Sequence, residues 1–118
     1  MQRKMLKSKI HRVRVTDANL SYEGSVTIDS LLMEAANIVP FEQVHIYNIH
    51  NGERFSTYVL RGEAGSGVIC LNGAAARKVA KDDLVIICSY IGLDDTECQD
   101  YEAHNVYVDE NNKITKTT

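Results

Sequence analysis

The sequence has little of what marks several common protein classes. It contains one proline, Pro40, and no internal repeat or linker, so it predicts a single domain over residues 1–118. Its longest apolar run, Leu84–Cys88, is far too short to cross a bilayer. No apolar run follows the basic N-terminus, as it would in a signal peptide. The net charge of −3 gives no argument for nucleic acid or an anionic membrane as a partner.

Cysteine and histidine are also few. The three cysteines lie at spacings that match no metal motif, and Cys70 and Cys88 fall in apolar runs typical of buried small hydrophobes. The four histidines form no ligand cluster along the sequence. We therefore expect a cytoplasmic protein with reduced thiols, no metal, no nucleic acid and no membrane partner.

What the sequence does contain is a series of short strand patterns with few helices. The predicted strands cover residues 6–15, 43–50, 53–60, 68–71, 84–90 and 103–108. Short helices are predicted over 29–38 and 72–79, a loop or helical turn over 94–100, and a frayed end from 110 to 118. Asn51-Gly52 between two strands is a strong hairpin signal. Six or seven short strands with two small helices predict a compact, closed β-barrel, without fixing the strand order.

The first strand carries polar groups where a structural strand would avoid them. Simple alternation places Lys9 and His11 on the same face as Val13 and Val15. A cation and an imidazole on an inward face are costly unless they serve a function. This pattern indicates a site on that strand.

The most informative pair is Gly24-Ser25, between the basic first strand and the first predicted helix. A strained Gly-Ser peptide can break itself, because the Ser25 hydroxyl can attack the Gly24 carbonyl and convert the amide to an ester. Gly24 has no Cβ, so we expect it to allow the backbone angles and close approach that this needs. Elimination and hydrolysis then leave a pyruvoyl group, an electron sink made from the chain itself. Gly-Ser pairs are also ordinary turn chemistry, so the other residues must decide.

Two further groups suit a small acidic substrate. Arg54 and Tyr58 share one strand face, where Arg54 can bind a carboxylate with two hydrogen bonds and Tyr58 can give and take a proton. Thr57 points to the opposite face, and reaches the same site only through a twist or a neighbouring subunit. Residues 72–76 precede a helix and leave backbone N–H groups open to an anion. An exposed arginine, a barrel tyrosine and an ordinary helix entry are the structural alternatives.

Five stretches together resemble the pyruvoyl-dependent aspartate 1-decarboxylases. They occur in family order from about residue 4 to residue 91, and the resemblance is weak after Ile91. The stretches are Met5–Arg12, Tyr22–Asp29, Asn51–Tyr58, Gly65–Ile69 and Leu71–Ala76. Position 47 is Tyr where many members of that family carry Trp, and we expect only a small change in pocket shape.

The resemblance implies a six-stranded double-psi β-barrel that assembles as a homotetramer with active sites between subunits. It implies a carboxy-lyase that converts L-aspartate to β-alanine and CO2 through a Schiff base, in pantothenate and coenzyme A biosynthesis. The chain would cut itself into a β-subunit, residues 1–24, and an α-subunit, residues 25–118, whose pyruvoyl cap derives from Ser25. Neither a metal nor pyridoxal phosphate is implied, and the need for a maturation factor stays open.

The resemblance also implies a role for each matching residue. Ser25 becomes the pyruvoyl group and Tyr58 protonates the intermediate left after CO2 departs. The remaining assignments are Gly24 at the cleavage point; Thr57, Gly73, Ala74, Ala75, Arg54 and Lys9 in substrate binding; and His11, Tyr22 and Asn72 in support.

Two other functions stay open from the residues alone. The chain could keep Ser25 as an N-terminal nucleophile and hydrolyse amides. It could also be a noncatalytic small barrel that serves as a binding module. The acidic balance and the paired features Tyr22/Ser25 and Arg54/Tyr58 weigh against the noncatalytic barrel.

Overall fold

The computed structural model describes residues 1–118 and contains nine strands, two α-helices and one 3₁₀ helix. The strands are β1 (Gln2–Arg14), β2 (Asp17–Asn19), β3 (Ser25–Asp29), β4 (Gln43–Asn48), β5 (Arg54–Gly62), β6 (Ile69–Asn72), β7 (Leu84–Asp94), β8 (His104–Val108) and β9 (Ile114–Thr117). The helices are α1 (Ser30–Ala35), the 3₁₀ helix (Gly73–Lys78) and α2 (Asp95–Cys98). No helix has the length and apolar character needed to span a membrane.

One bent segment, β1 followed by β2, closes the sheet into a ring. β1 pairs with β7 in antiparallel fashion, whereas β2 pairs with β6 in parallel. Between them, the Val15 N–H donates to the carbonyl of Asp83 at 2.8 Å, and the Thr16 N–H donates to the carbonyl of Ile69 at 2.8 Å. The ring order is β1/β2, β6, β3, β5, β4 and β7. Counting β1/β2 as one strand, the ring is the six-stranded barrel expected from the sequence.

The core lies inside this ring and consists of aliphatic side chains contributed alternately along the strands. Three of its members, Ile10, Ile46 and Ile87, lie in one cross-strand row of β1, β4 and β7. α1 adds Leu32 and Met33. Burial of such side chains supplies the main driving force for closing the barrel.

The expected face of Lys9 and His11 is wrong. Ile10 and Val13 are both fully buried, although simple alternation would place them on opposite faces. The pairing of β1 with β7 shifts between these two residues, and Arg12 has a φ of 60°. This bulge switches which side chains point inward. Lys9 and His11 therefore lie outside the barrel core, where both are partly exposed, although His11 Nδ1 is buried without a hydrogen-bond partner.

The C-terminal end is also not frayed, contrary to expectation. β9 pairs antiparallel with β8, and β8 in turn lies parallel to β1 over Ser8–His11. Asn112 fixes the turn between β8 and β9, because its side-chain amide donates to the carbonyls of Arg14 and Gly67 at 2.8 Å each. The last two strands are thus an addition to the outside of the ring.

Candidate active site

The Gly24-Ser25 junction lies at the start of β3, where the chain passes from the surface into the sheet. Gly24 is exposed, while Ser25 is completely buried and pairs with Asn72 of β6. The Asn72 side-chain amide donates to Ser25 Oγ at 3.0 Å, and the Ser25 hydroxyl donates to the carbonyl of Glu23 at 3.3 Å. The hydroxyl is therefore turned back along the chain, toward the peptide between Glu23 and Gly24. Asn72, like Ser25, is buried, so water does not compete for these hydrogen bonds.

Gly73 sets how closely the junction approaches β6. Its φ is +64°, and a Cβ at this position would lie 2.7 Å from both the N and Cα atoms of Gly24. It would also lie 2.9 Å from the carbonyl oxygen of Tyr22. Only glycine satisfies both the backbone angle and the space. At Gly24 itself, a Cβ would meet only the Asn72 carbonyl at 4.0 Å, an ordinary contact. The steric need for glycine that we expected at Gly24 is thus found at Gly73.

A cavity of about 260 Å³ opens beside the junction. It is lined by Gly24, Thr57, Ala74, Ala75, Phe55, Ser56 and Lys78. Thr57 therefore reaches the junction within one chain, whereas Arg54 and Tyr58 do not line this cavity, so Thr57 does not share a site with them inside one chain. Sequence reasoning missed Phe55, Ser56 and Lys78. Lys78 lies one helical turn after Ala74 and Ala75. This spacing places it on the same side of the helix as those two residues, and it could have predicted that Lys78 lines the cavity.

The other predicted residues lie on the outer face of the sheet formed by β5, β4, β7 and β1. Tyr58 and Arg54 face outward from β5, as their alternation predicts. Lys9 is paired with Cys88, and Cys88 is paired with His45, so these three side chains occupy one cross-strand row. Neither Lys9, Arg54 nor Tyr58 lines the cavity at Gly24.

The positive charges on this outer face affect the pKa of Cys88. Burial raises the pKa of the Cys88 thiol, while the nearby positive charges of Lys9 and Arg54 act in the opposite direction. Lys9 lies on β1 and Arg54 on β5, with β7 and β4 between them, so the two cations flank this part of the outer face. The outer face therefore presents positive charge suited to a carboxylate.

Aromatic side chains surround Arg54 and Tyr58. The Arg54 guanidinium carbon lies 3.8 Å from the ring centroid of Tyr47, and the Tyr47 hydroxyl is 2.6 Å from that of Tyr90. The Tyr58 ring lies 6.4 Å from that of Phe41, centroid to centroid. Tyr90 was missed from the sequence, although the period of two along β7 places it on the outward side with Cys88.

His11 and Tyr22 are less closely tied to the junction. His11 borders a separate cavity of about 460 Å³ with Arg12, Arg14 and Tyr107 among its lining residues. Burial, followed by the charges of Lys9 and Arg12, lowers the pKa of His11. Tyr22 approaches Gly73 through its backbone carbonyl, and its side chain is exposed.

Apart from His11 and Tyr22, the predicted residues form two halves. The junction half contains Gly24, Ser25, Thr57, Asn72, Gly73, Ala74 and Ala75. The outer-face half contains Lys9, Arg54 and Tyr58, on the outside of the barrel. No group of three or more His, Cys, Asp or Glu side chains is arranged to hold a metal ion. The chemistry available is a buried hydroxyl beside a glycine peptide, and a cationic face with a phenol.

Comparison with known proteins agrees with the motif resemblance. The sequence model of the aspartate decarboxylase family matches residues 1–115, well past Ile91 where the motifs faded. Aspartate 1-decarboxylase from Syntrophus aciditrophicus is 63% identical over 114 residues, which are 97% of this chain and 98% of that protein. The enzyme of the same name from Thermoanaerobacter pseudethanolicus is 58% identical over 113 residues, 96% of this chain and 97% of that protein.

The fold is shared with a rationally designed double-psi β-barrel, mkDPBB_sym_86, known from a crystal structure. The TM-score is 0.50 at 14% sequence identity, and the match covers 65% of this chain and 90% of the designed one. At that identity the likeness concerns the fold alone. The fold expected from the sequence, a double-psi β-barrel, is confirmed. On the family match and the near full-length relatives together, the chain belongs to the aspartate decarboxylase family.

Proposed function

We propose that this chain is an aspartate 1-decarboxylase, which converts L-aspartate to β-alanine and CO2 by means of a pyruvoyl group made from Ser25. The observation that carries the proposal is the junction itself. A buried serine hydroxyl, held by the Asn72 amide at 3.0 Å, follows an exposed glycine in a chain of this family. The product would serve pantothenate synthesis in the cytoplasm.

Maturation begins when Ser25 Oγ attacks the Gly24 carbonyl carbon, so that the peptide C–N bond breaks and an ester C–O bond forms. The proton of the hydroxyl passes to the freed amine. Elimination then breaks the ester and releases the carboxylate of Gly24, leaving a dehydroalanine at position 25. Tautomerisation and addition of water expel ammonia and leave the ketone. The products are residues 1–24 and residues 25–118. No outside oxidant or reductant is needed.

The residues around Ser25 fit a small keto acyl group. Oγ leaves with the Gly24 carboxylate, so the Asn72 amide beside residue 25 is then free to donate to the new ketone oxygen on Cα. Because Gly73 has no Cβ, the segment around residue 25 can lie close against β6. The pyruvoyl group, once formed, supplies a ketone that binds the substrate amine and accepts the electron pair released with CO2. Thr57, Ala74 and Ala75 line the space beside it and position the substrate.

The outer-face half supplies charge and a proton. Arg54 makes no ion pair within the chain, so its guanidinium is open to the carboxylate that the substrate retains, and Lys9 adds a second cation on the same outer face. Tyr58 protonates the carbon that has lost CO2. Because these groups lie outside the barrel and away from the Gly24 cavity, we place them opposite the junction of a neighbouring subunit. The assembly is then a homotetramer with active sites between subunits.

An N-terminal-nucleophile hydrolase is the nearest alternative, since it would use the same cleavage. In that case the new N-terminus would keep its serine amine. A noncatalytic barrel would not cut at Gly24 at all. The state of residue 25 after maturation therefore separates the three functions.

Intact-mass measurement of the purified, matured protein tests the proposal. We expect two chains, and the longer one lighter by one ammonia than a serine-terminated chain. Borohydride added together with L-aspartate should add mass to the longer chain only, and borohydride alone should reduce its ketone. A single unbroken polypeptide that still releases CO2 from aspartate would contradict the proposal. A serine amine at the new terminus would favour the hydrolase.

A further inference from the structure

Tyr47 and Tyr90 are joined by their hydroxyl groups on the outer face. The two oxygens are 2.6 Å apart, although the residues are 43 positions apart in sequence. The His45 and Tyr90 rings pack in a T-shaped arrangement, with 5.2 Å between ring centroids and an interplanar angle of 82°. Tyr90 is thus held from two sides on β7, next to the row that contains Lys9 and Cys88. The sequence resemblance suggested only a change of shape at position 47, but the structure gives its hydroxyl a partner.

Tyr47 in turn supports Arg54. The two residues are directly paired between β4 and β5, and the guanidinium carbon lies 3.8 Å from the centre of the Tyr47 ring. A stack of this kind stabilises the cation, and it favours one orientation of a side chain that otherwise has many rotamers. Arg54 has no protein hydrogen bond or carboxylate to orient it instead. The orientation of the guanidinium therefore depends on the position of the Tyr47 ring.

We propose that Tyr90, through its hydrogen bond to the Tyr47 hydroxyl, positions Arg54 for the carboxylate of the substrate. Tyr47 and Tyr90 are positioning residues, because neither is required to touch a reacting atom. This inference rests on the proposed role of Arg54. Burial and the hydrogen bond to Tyr47 raise the pKa of Tyr90, so the phenol stays neutral in neutral and mildly alkaline solution. The effect of the pair should therefore be the same across that pH range.

A double-mutant cycle tests this role. Tyr90→Phe and Tyr47→Phe each remove one hydroxyl and keep the ring. Each should raise KM for L-aspartate about 3- to 10-fold, the range of a lost hydrogen bond, with kcat within about twofold of wild type. The double variant should be no worse than either single one, because the bond is already lost. Tyr101→Phe is the matched control. Its half-buried phenol reaches only the carbonyl of Lys7, at 3.5 Å, and KM should not change.

Calorimetric binding of succinate provides a second measurement that is independent of turnover. Succinate keeps both carboxylates of aspartate but has no amine, so it can bind at the Arg54 site without forming a Schiff base. Its affinity should fall about 3- to 10-fold in Tyr90→Phe, as KM rises. Unchanged KM and succinate affinity in Tyr90→Phe, with normal wild-type turnover, would overturn the positioning role and leave the proposed function intact. Losses that add in the double variant, or that fall on kcat, would also overturn it, since they indicate general damage.

Failure of the proposed function would look different. A matured wild-type protein that binds succinate but lacks the ketone would contradict the decarboxylase, while the cycle could still be completed on succinate affinity. Wild-type protein that neither binds succinate nor turns over aspartate would overturn both the role of Arg54 and that of the tyrosine pair.

Discussion

The Gly24-Ser25 junction and the outer face of the barrel differ in how the chain holds them. At the junction, Ser25, Asn72 and Gly73 are buried, and backbone atoms approach so closely that one methyl group would not fit. On the outer face, Arg54 and Tyr58 are exposed, and side chains hold one another through rings and hydroxyls. A self-cleaving peptide needs a fixed geometry before any substrate arrives, whereas a substrate clamp is used only later. The two halves should therefore fail separately when they are changed.

The largest effect is expected from Ser25→Ala. Without the hydroxyl there is no nucleophile for the Gly24 carbonyl, so maturation and decarboxylation should both be lost completely. The barrel should still form, because the buried methyl group replaces a small side chain. Intact mass should give one uncut chain of 13.2 kDa, and circular dichroism should match wild type. An active Ser25→Ala protein would contradict the mechanism.

The second largest effect is expected from Tyr58→Phe, which should impair decarboxylation without impairing cleavage at Gly24. Loss of a positioned proton donor typically lowers a rate by about 100- to 10,000-fold. We expect this loss in kcat for β-alanine formation, while cleavage at Gly24 proceeds normally by intact mass. Wild-type turnover in Tyr58→Phe would remove Tyr58 from its role. Slow cleavage would show that the outer face also serves maturation.

Arg54→Ala should lower kcat/KM for L-aspartate by about 100- to 1000-fold, the scale of an uncompensated carboxylate in a site. Maturation should be unaffected. Arg61→Ala is the control, since Arg61 is also exposed on β5 and belongs to neither half. Equal kinetic losses in the two variants would remove the assignment of Arg54.

Mixing subunits tests whether the halves meet between chains. Ser25→Ala subunits keep Arg54, and matured Arg54→Ala subunits keep the ketone. If the site lies between subunits, refolded mixtures should regain part of the activity that each parent lacks. If both halves act within one chain, the mixture should remain as inactive as its parents.

Gly73→Ala should affect the junction half through packing rather than chemistry. A methyl group 2.7 Å from two backbone atoms of Gly24, at a φ of +64°, should destabilise the uncut chain by roughly 2–4 kcal/mol and slow cleavage at least about tenfold. Gly52→Ala is a close control, because Gly52 has a φ of +74° but nothing within 4 Å. It should cost only about 1 kcal/mol and leave cleavage unchanged. Unfolding measured in the Ser25→Ala background keeps every chain uncut, and equal losses at both glycines would contradict the packing argument.

Local patterns in the sequence were enough to predict much of this. Alternation along β5 separated Thr57 from Arg54 and Tyr58, and the structure keeps that division, with Thr57 in the junction half. Asn51-Gly52 marked the turn correctly, although β4 ends at Asn48 and β5 begins at Arg54. The motif order identified the family.

What was missed depends on contacts between distant segments. The bulge at Arg12 reverses the faces of β1, and no neighbouring residue signals it. The steric need at Gly73 exists only because Tyr22–Gly24 folds against it. β9 is an exposed polar strand without apolar alternation, so only its pairing with β8 reveals it. Tyr47 and Tyr90 meet only because β4 and β7 are neighbours in the ring.

The smallest expected effect concerns the partly buried ion pair between Lys7 and Glu42, which lies next to the outer face. Glu42 accepts a hydrogen bond from Lys7 Nζ at 2.8 Å and another from the Ser89 hydroxyl, and the side chains of Lys7 and Glu42 are only 14% and 21% exposed. Its backbone carbonyl accepts the Val59 N–H at 3.1 Å, directly after Tyr58. Glu42→Gln should therefore destabilise the protein by about 1–3 kcal/mol at pH 7, because Lys7 loses its charged partner and keeps only the carbonyl of Asn37.

The pH dependence identifies the cause of that loss. Burial alone would raise the pKa of Glu42, but the hydrogen bonds from Lys7, Ser89 and the Val39 N–H outweigh it and lower the pKa below its ordinary 4.5. A carboxyl with a lowered pKa stabilises the folded state fully above 4.5, and this contribution disappears as pH falls through the folded-state value. Urea unfolding should therefore show the wild type and Glu42→Gln converging below pH 4.5. Glu53→Gln breaks an ion pair that is about half exposed, so it should change stability by at most about 0.5 kcal/mol. If Glu42→Gln proves as mild as Glu53→Gln, the outer face owes its order to the sheet alone, and the positions of Tyr58 and Arg54 do not depend on this ion pair.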